Sequence, residues 1–294
     1  MTQTDTDPTQ VRDAPLLLGR YRPLGLLAKG GSSLVYRGHD THLGRDVAIK
    51  LFAAGGAPEI ARFHDELRVL AELSHHGVVS ILDAGVDEST PSDPRPFIVM
   101  ELVPGETLRS ILATRELTPR RIGETVFEVA EALEYVHARG VIHRDITPSN
   151  IMIVDYGTTF SRPRARLTDF GIAIDAATVP ENDGTTTGTA AYLSPEQVRG
   201  EAVTSAVDIY SLGLVLLEGF TRRIAFPGDP IQSATSRLDQ QPPQLDTLSP
   251  GWRDLVLAMT AQDPAARPTA AEVATATRHE LRAARHKKSR KNER

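Results

Sequence analysis

No cysteine occurs in the chain's 294 residues, which excludes disulfides and thiolate chemistry and makes a cytoplasmic setting the expected one. No apolar run approaches the roughly 20 residues a membrane-spanning helix needs. The stretch LGLVLLEGF after Tyr210 is short and broken by Glu218. No signal peptide opens the chain: MTQTDTDPTQVRD is polar and acidic, and residues 1–17 read as a disordered leader. No internal repeat is present. No further ligand pattern accompanies His75 and His76, so they read as a turn with a packing histidine, not as a metal site. Charge is unevenly spread. The formal net charge is −5, yet the last ten residues carry six basic side chains against Glu293. An acidic body with a solvated basic tail over 281–294 argues against a nucleic-acid partner.

What is there suits a globular protein of one large domain or two lobes, with 40% hydrophobic and 24% charged residues. From Tyr21 to Phe52 the sequence reads as strands, with LVYRG (34–38) and DVAIKLF (46–52) the clearest. Ile60, Phe63, Leu67, Leu70 and Leu73 then recur at three- and four-residue spacing, which predicts an amphipathic helix entered near Pro58. RPFIVMEL (95–102) is another strand, after a proline-rich loop. Residues 120–139 predict a helix stopped by Gly140; NIMIV and RARLTDF predict two strands around a polar loop from Asp155 to Arg164. From Pro195 onward helical patterns dominate. Strands first and helices later make this an α+β chain in two lobes.

Phosphoryl transfer needs a held triphosphate, metal ions on its oxygens and an oriented acceptor hydroxyl. The turn in LLAKGGSSLVY (26–36) lies between two predicted strands, where glycines let backbone N–H groups approach phosphates. Lys50 ends the strand segment VAIK, and Glu66 is the polar exception in the apolar helix, able to turn inward toward it. Taken singly, these are an ordinary hairpin, an edge lysine and a surface glutamate. HRDITPSN (143–150) says more: Asp145 could accept a hydroxyl proton and Asn150 could ligate a divalent cation. Asp169, in TDFG, closes a strand before a glycine and is placed to hold Mg²⁺. Hard oxygen ligands favour magnesium or manganese over zinc.

In order, AKGGSSLVY, VAIK, Glu66, HRDITPSN, DFG, GTAAYLSPE and DIYSLG resemble the signature set of the protein kinase fold, over about Tyr21 to Arg278. LSPEQVRG, DIYSLGLVLLE and DPAARPT are similar to the eukaryotic-like (Hanks-type) serine/threonine kinases of bacteria, of actinobacterial type. The resemblance implies a bilobal kinase domain over 18–280: an N-lobe (about 18–101) of antiparallel sheet plus one helix, a hinge at about 101–104, and a mainly helical C-lobe (about 105–280). It implies an ATP- and Mg²⁺- (or Mn²⁺-) dependent enzyme acting on protein Ser/Thr acceptors.

By the same resemblance, Lys50 holds the α- and β-phosphates and pairs with Glu66. The turn Ala28, Lys29, Gly30, Gly31, Ser32 and Ser33 covers the phosphates. Val35, Ala48 and Met152 sandwich adenine, with Met100 as gatekeeper and Glu101 to Val103 as the hinge. Asp145 is the base, Asn150 and Asp169 are the metal ligands, and Thr189 helps position the acceptor. Glu196 pairs with Arg267, and Asp208 ties the helix beneath the catalytic loop to that loop. Arg144 sits by a phosphorylated activation loop, with Thr185, Thr186 and Thr187 as candidate autophosphorylation sites. A homodimer through the N-lobe is compatible with the family.

Three positions depart from the pattern. Ala28 and Ser33 replace the outer glycines of the phosphate loop, at modest expected cost, since both are small. Thr147 stands where these enzymes nearly always carry lysine, two residues after the base. It removes a cation from the transferring phosphate, so a slower kinase is expected. A nucleotide-binding pseudokinase is the alternative, and a small-molecule kinase is disfavoured by the peptide-platform stretch GTAAYLSPE.

Overall fold

The computed structural model describes residues 16–30, 33–90, 92–159, 161–170, 190–243 and 245–292. Its residues fall into two compact units. The first comprises the described residues of 16–74 and 79–103; the second comprises 75–78, 104–170 and everything described from 190 on.

The first unit is an antiparallel sheet with one helix. Strands β1 (Tyr21–Lys29), β2 (Ser33–Asp40), β3 (Arg45–Phe52), β4 (Ile81–Asp87) and β5 (Arg95–Glu101) lie in the order β1-β2-β3-β5-β4. Helix α1 (Ala57–Ala71) follows β3, with a proline in its first turn. Side chains alternate across a strand, and β3 uses both faces. Val47 and Ile49 join Leu17, Tyr21, Phe97 and Val99 in one cluster. Phe52 joins Phe63 and Leu67 of α1 and Ile98 in the other. The predicted strands at 34–38, 46–52 and 95–102 and the helix after Pro58 are present, the helix ending at Ala71. The sequence pattern does not predict β4, because its Asp83, Gly85 and Asp87 interrupt the apolar pattern; Asp83 accepts a hydrogen bond from the Tyr21 hydroxyl at 2.7 Å.

The second unit is mainly helical. A small sheet of β6 (Gly105–Thr107), β7 (Ile151–Val154) and β8 (Arg164–Leu167), in that order, joins α2 (Leu108–Thr114) and α3 (Pro119–His137). After residue 190 come α4 (Pro195–Arg199), α5 (Ala206–Thr221), α6 (Pro230–Asp239), α7 (Pro250–Met259) and α8 (Ala270–Asn292). Helix starts follow capping chemistry. Thr118 accepts from the Arg121 amide at 3.2 Å, Asp229 from Gln232 at 2.9 Å, and Ser194 forms a capping box with Gln197. Gly140 takes a left-handed φ of 73° just past α3, as expected for a helix stop. The bilobal α+β expectation therefore holds for each unit's composition.

Helix α5 is mostly apolar and is surrounded on all sides: every residue from Val207 to Gly219 is buried, the polar Asp208, Ser211 and Glu218 included. The longest apolar stretch of the chain is thus a core helix, and no helix among the described residues is long and apolar enough to cross a membrane. α5 meets the end of α7 at Gly213, where a methyl group would come 2.9 Å from both Met259 Cβ and Thr260 Cγ2. Gly213→Ala should therefore lose about 1–3 kcal/mol to overpacking and regain about 1 kcal/mol of helix propensity. Net, a Tm several degrees lower is expected in thermal unfolding. An unchanged or higher Tm would show that α7 yields there at no cost.

Candidate active site

The first unit carries all of the described residues expected to meet a nucleotide except Met152. Lys50 of β3 stands opposite Val35 of β2 and Ile98 of β5, and Ala48 stands opposite Met100. Opposed residues, and residues two apart on one strand, share a face. Val35, Ala48, Lys50 and Met100 therefore line a single face. That face also carries Phe52, whose ring lies 5.4 Å from the Lys50 ammonium and meets Phe63 of α1 edge-on, also at 5.4 Å. Glu66 lies between Phe63 and the buried Leu67 in the helix repeat and is half-buried. Near the β1–β2 turn, Ala28 sits at an irregularity of β1 opposite Val35, and Lys29 pairs with Leu34. The Gly30 amide donates to Ser33 O at 2.8 Å, while Gly31 and Ser32 lie outside the described residues. At the other end of the sheet, the Glu101 amide donates to Ser80 O at 3.1 Å and its Oε1 accepts from the Ser80 amide at 2.8 Å. This double tie fixes the chain as it leaves β5 for Val103.

The second unit builds its site at one end of the β7–β8 hairpin. Ile151 pairs with Leu167, and the Thr168 amide extends the ladder by donating to Asn150 O at 2.9 Å. Asn150, just before β7, and Asp169, just after Thr168, are thereby brought to the same end. Asp169 has a left-handed backbone, φ 56°, a conformation that costs a non-glycine residue energy and needs surrounding structure to hold it. The support is visible: His143 Nε2 lies 3.0 Å from Thr168 O and its ring packs on Phe170 at 4.6 Å. Asn150 Nδ2 donates to both Asp145 Oδ2 and Asp145 O at 2.8 Å. Committing the amide nitrogen to Asp145 leaves the acceptor end, Oδ1, for a cation. Asn150 Oδ1 and the Asp169 carboxylate are hard donors, and two protein oxygens completed by phosphate and water suit Mg²⁺ better than a full protein cage would. The residues fit the metal that the sequence implied.

The loop that carries Asp145 hangs on Asp208, the fully buried acid in the first turn of α5. Asp208 Oδ2 accepts the His143 amide and Oδ1 the Arg144 amide, each at 2.8 Å, and His137 Nε2 lies 2.7 Å from Oδ2. Arg144 takes φ 66° and its carbonyl accepts from Gln197 Nε2 at 3.0 Å. Thr147 is 5% exposed, and its carbonyl accepts the Asn150 amide at 3.0 Å. A hydroxyl stands there, with no charge. Met152 of β7 faces Arg166 and Thr107 across the small sheet. His75, as expected, is a packing residue. It stacks on Tyr135 at 4.9 Å, and its Nδ1 accepts from the Gly77 amide.

A protein kinase domain model matches residues 21–278. The chain belongs to the protein kinase family. Its relatives place this kinase domain in the bacterial, actinobacterial-type branch. It is 38% identical over 259 residues to the serine/threonine-protein kinase PknA of Mycobacterium tuberculosis, covering 85% of this chain and 58% of that protein. It is 38% identical over 281 residues to PknB of the same organism, covering 91% and 43%. A probable serine/threonine-protein kinase of Streptomyces coelicolor is 38% identical over 258 residues, covering 84% and 37%. The chain thus spans less than two thirds of each of these relatives.

Beyond Phe170 the kinase domain is described again from Ala190, so Thr185, Thr186, Thr187 and Thr189 lie outside the described residues. The segment from Ala190 onward is tightly held. Tyr192 O accepts from Ser211 Oγ at 2.7 Å. The Tyr192 hydroxyl bridges Glu218 and Arg109, and Arg109 Nη1 reaches Glu218 Oε1 at 2.5 Å. Burial and the Glu218 carboxylate push the Tyr192 phenol well above its ordinary range, which keeps it a neutral donor. Glu196 of α4 accepts from Arg267 Nη1 at 2.6 Å and Nη2 at 2.8 Å, both side chains buried, the pair that the resemblance implied. The Arg109–Tyr192–Glu218 network and the buried Arg237 were not anticipated. Glu218, an acid inside an apolar helix, was their one signal in the sequence.

Proposed function

We propose that this domain is an ATP-dependent serine/threonine protein kinase using Mg²⁺ or Mn²⁺, acting in the cytoplasm on protein acceptors and on its own activation segment. The observation that carries the proposal is the hydrogen-bonded unit of Asp145 and Asn150, with Asn150 laddered to Thr168 beside Asp169. A candidate base bonded to one candidate metal ligand, with the other next in sequence to that ligand's ladder partner, is what this reading rests on. Lys50, paired with Glu66, holds the α- and β-phosphates, and the Ala28–Ser33 turn covers them with backbone N–H groups. Val35, Ala48 and Met152 enclose adenine, which hydrogen-bonds the Glu101–Val103 backbone beside Met100. Asn150 and Asp169 hold the divalent cation, which supplies neutralisation of charge on the phosphate oxygens. Asp145 orients the acceptor hydroxyl and takes its proton, and Thr189 helps fix that hydroxyl. The family's use of ATP with a divalent metal, and the names its relatives carry, support this reading. Pairing of two chains through the first unit is compatible with it.

Thr147 supports a slower enzyme. A charge-assisted hydrogen bond is worth about 1.5–3 kcal/mol, so restoring the cation with Thr147→Lys should raise transfer by roughly 10- to 200-fold. The test incubates purified protein with labelled ATP and Mg²⁺, measures phosphate per chain and per added peptide, and identifies the phosphoamino acids. Phosphoserine and phosphothreonine are expected from wild type, with more from Thr147→Lys. If wild type binds ATP but transfers nothing, and Thr147→Lys restores labelling, the chain is a nucleotide-binding pseudokinase and Thr147 is the reason.

A further inference from the structure

Among the described residues Arg237 is one of the largest buried side chains, at 0% exposure. Every hydrogen-bond partner it has among the described residues is a neutral oxygen. From α6 it donates through Nε to the carbonyls of Ser233, at 3.2 Å, and Ala234, at 3.1 Å. Its Nη2 donates to Ser233 O at 2.7 Å, Ser233 Oγ at 3.3 Å and Ala190 O at 2.8 Å. Its Nη1 donates to Leu193 O. The guanidinium carbon lies 5.2 Å from the centroid of the Phe226 ring. Burial lowers its pKa to about 10, and the charge survives because carbonyl dipoles replace the water it has lost.

A buried cation without a described carboxylate is an expensive way to fill space, so its geometry calls for an account. One end of the planar fork grips its own helix, and the other grips the carbonyls of Ala190 and Leu193, which flank the segment Ala190-Ala191-Tyr192-Leu193. The intervening Tyr192 carbonyl is taken by Ser211, so three of the four carbonyls of this segment are tied down. The Arg237 carbonyl in turn accepts from Gln262 Nε2 at 2.7 Å, and Gln262 O accepts from Arg267 at 3.4 Å. α6 is thereby coupled to the Glu196–Arg267 pair at the far side of the same segment.

We propose that Arg237 is a positioning residue for the acceptor polypeptide: it sets the backbone of residues 190–193, the seat for the residues beside the acceptor hydroxyl. This rests on the protein kinase reading of the domain. A guanidinium suits the task because its donors diverge in one plane and reach two carbonyls at once, which a single ammonium nitrogen does not reproduce.

The test compares wild type, Arg237→Lys and Arg237→Met in steady-state transfer to a Ser/Thr peptide, with KM determined separately for peptide and for ATP. Arg237→Met should raise the peptide KM by roughly tenfold or more and leave the ATP KM within about twofold, with Arg237→Lys between it and wild type. A merely structural arginine would lower the Tm and the active fraction, which appears in kcat, and would leave both KM values where they are; that result overturns the proposal. So does a rise of both KM values in step. If Arg237→Met does not fold, Arg237→Lys carries the comparison, and a peptide KM equal to wild type overturns the proposal. A wild type that transfers phosphate to no peptide overturns the kinase reading itself, and this inference falls with it.

Discussion

Asp145→Asn should lower phosphate transfer by about 10²- to 10⁴-fold, the usual worth of a positioned general base, while ATP binding and thermal stability stay close to wild type. The stability expectation follows from the contacts. Asn150 Nδ2 donates to Asp145 Oδ2 and to the Asp145 carbonyl, and an asparagine of the same shape can offer its Oδ1 to the same donor. Asp145's amide still faces His143 Nδ1 at 3.4 Å, and the loop's principal anchors are the backbone bonds to Asp208. Proton acceptance is what disappears, because a carboxamide oxygen is far too weak a base to take a hydroxyl proton at neutral pH. Measured by single-turnover transfer to peptide alongside nucleotide titration, the expected pattern is a collapsed rate with an unchanged ATP affinity. Transfer within tenfold of wild type would remove Asp145 from the base role and weaken the kinase reading at its centre.

Much of this fold could be read from the chain because its elements follow period and punctuation. β3 alternates Val47 and Ile49 into one cluster and Phe52 into the other, and α1 repeats Phe63 and Leu67 at helical spacing. Gly140 and Pro119 mark the two ends of α3. The candidate site could be read for a different reason: Asp145, Asn150 and Asp169 are short polar residues at strand or turn ends, where sequence places them to within a residue. Arg237, Arg109 and Arg20 could not be read. An arginine in an amphipathic helix looks like a solvated one until the packing shows what its fork can reach. Arg237 touches residues more than forty positions earlier, and Arg109 reaches Glu218 across 109 positions. Arg20 grips the buried Asp40 at 2.8 and 2.7 Å from a segment on the border of what had read as a leader. Partners this remote depend on topology, and no local pattern encodes them.

The Glu196–Arg267 pair should dominate the stability of the second unit. Arg267 is 0% and Glu196 3% exposed at the side chain, so neither charge has solvent to fall back on. Removing one partner of such a pair costs about 3–5 kcal/mol, a large share of the roughly 5–15 kcal/mol that holds a typical domain together. The two single variants should differ. Arg267 also donates to Ala261 O at 2.8 Å and Ala206 O at 3.0 Å and lies over the Tyr210 ring at 4.9 Å. Arg267→Met therefore strands carbonyls as well as a carboxylate, and should cost more than Glu196→Gln. The double variant should lose less than the two single losses combined, since no uncompensated charge remains. The pair also has an acid signature. Burial pushes the Glu196 carboxyl up, but the Arg267 hydrogen bonds prevail and hold it below its ordinary value of 4.5. A depressed carboxylate pKa contributes stability that is complete above the ordinary value and is lost as pH falls through the folded one. Denaturant unfolding at neutral pH should separate wild type from Glu196→Gln fully, and the gap should narrow steadily below about pH 4.5. A gap that is independent of pH would mean that the glutamine disturbs packing and that the ion pair itself contributes little.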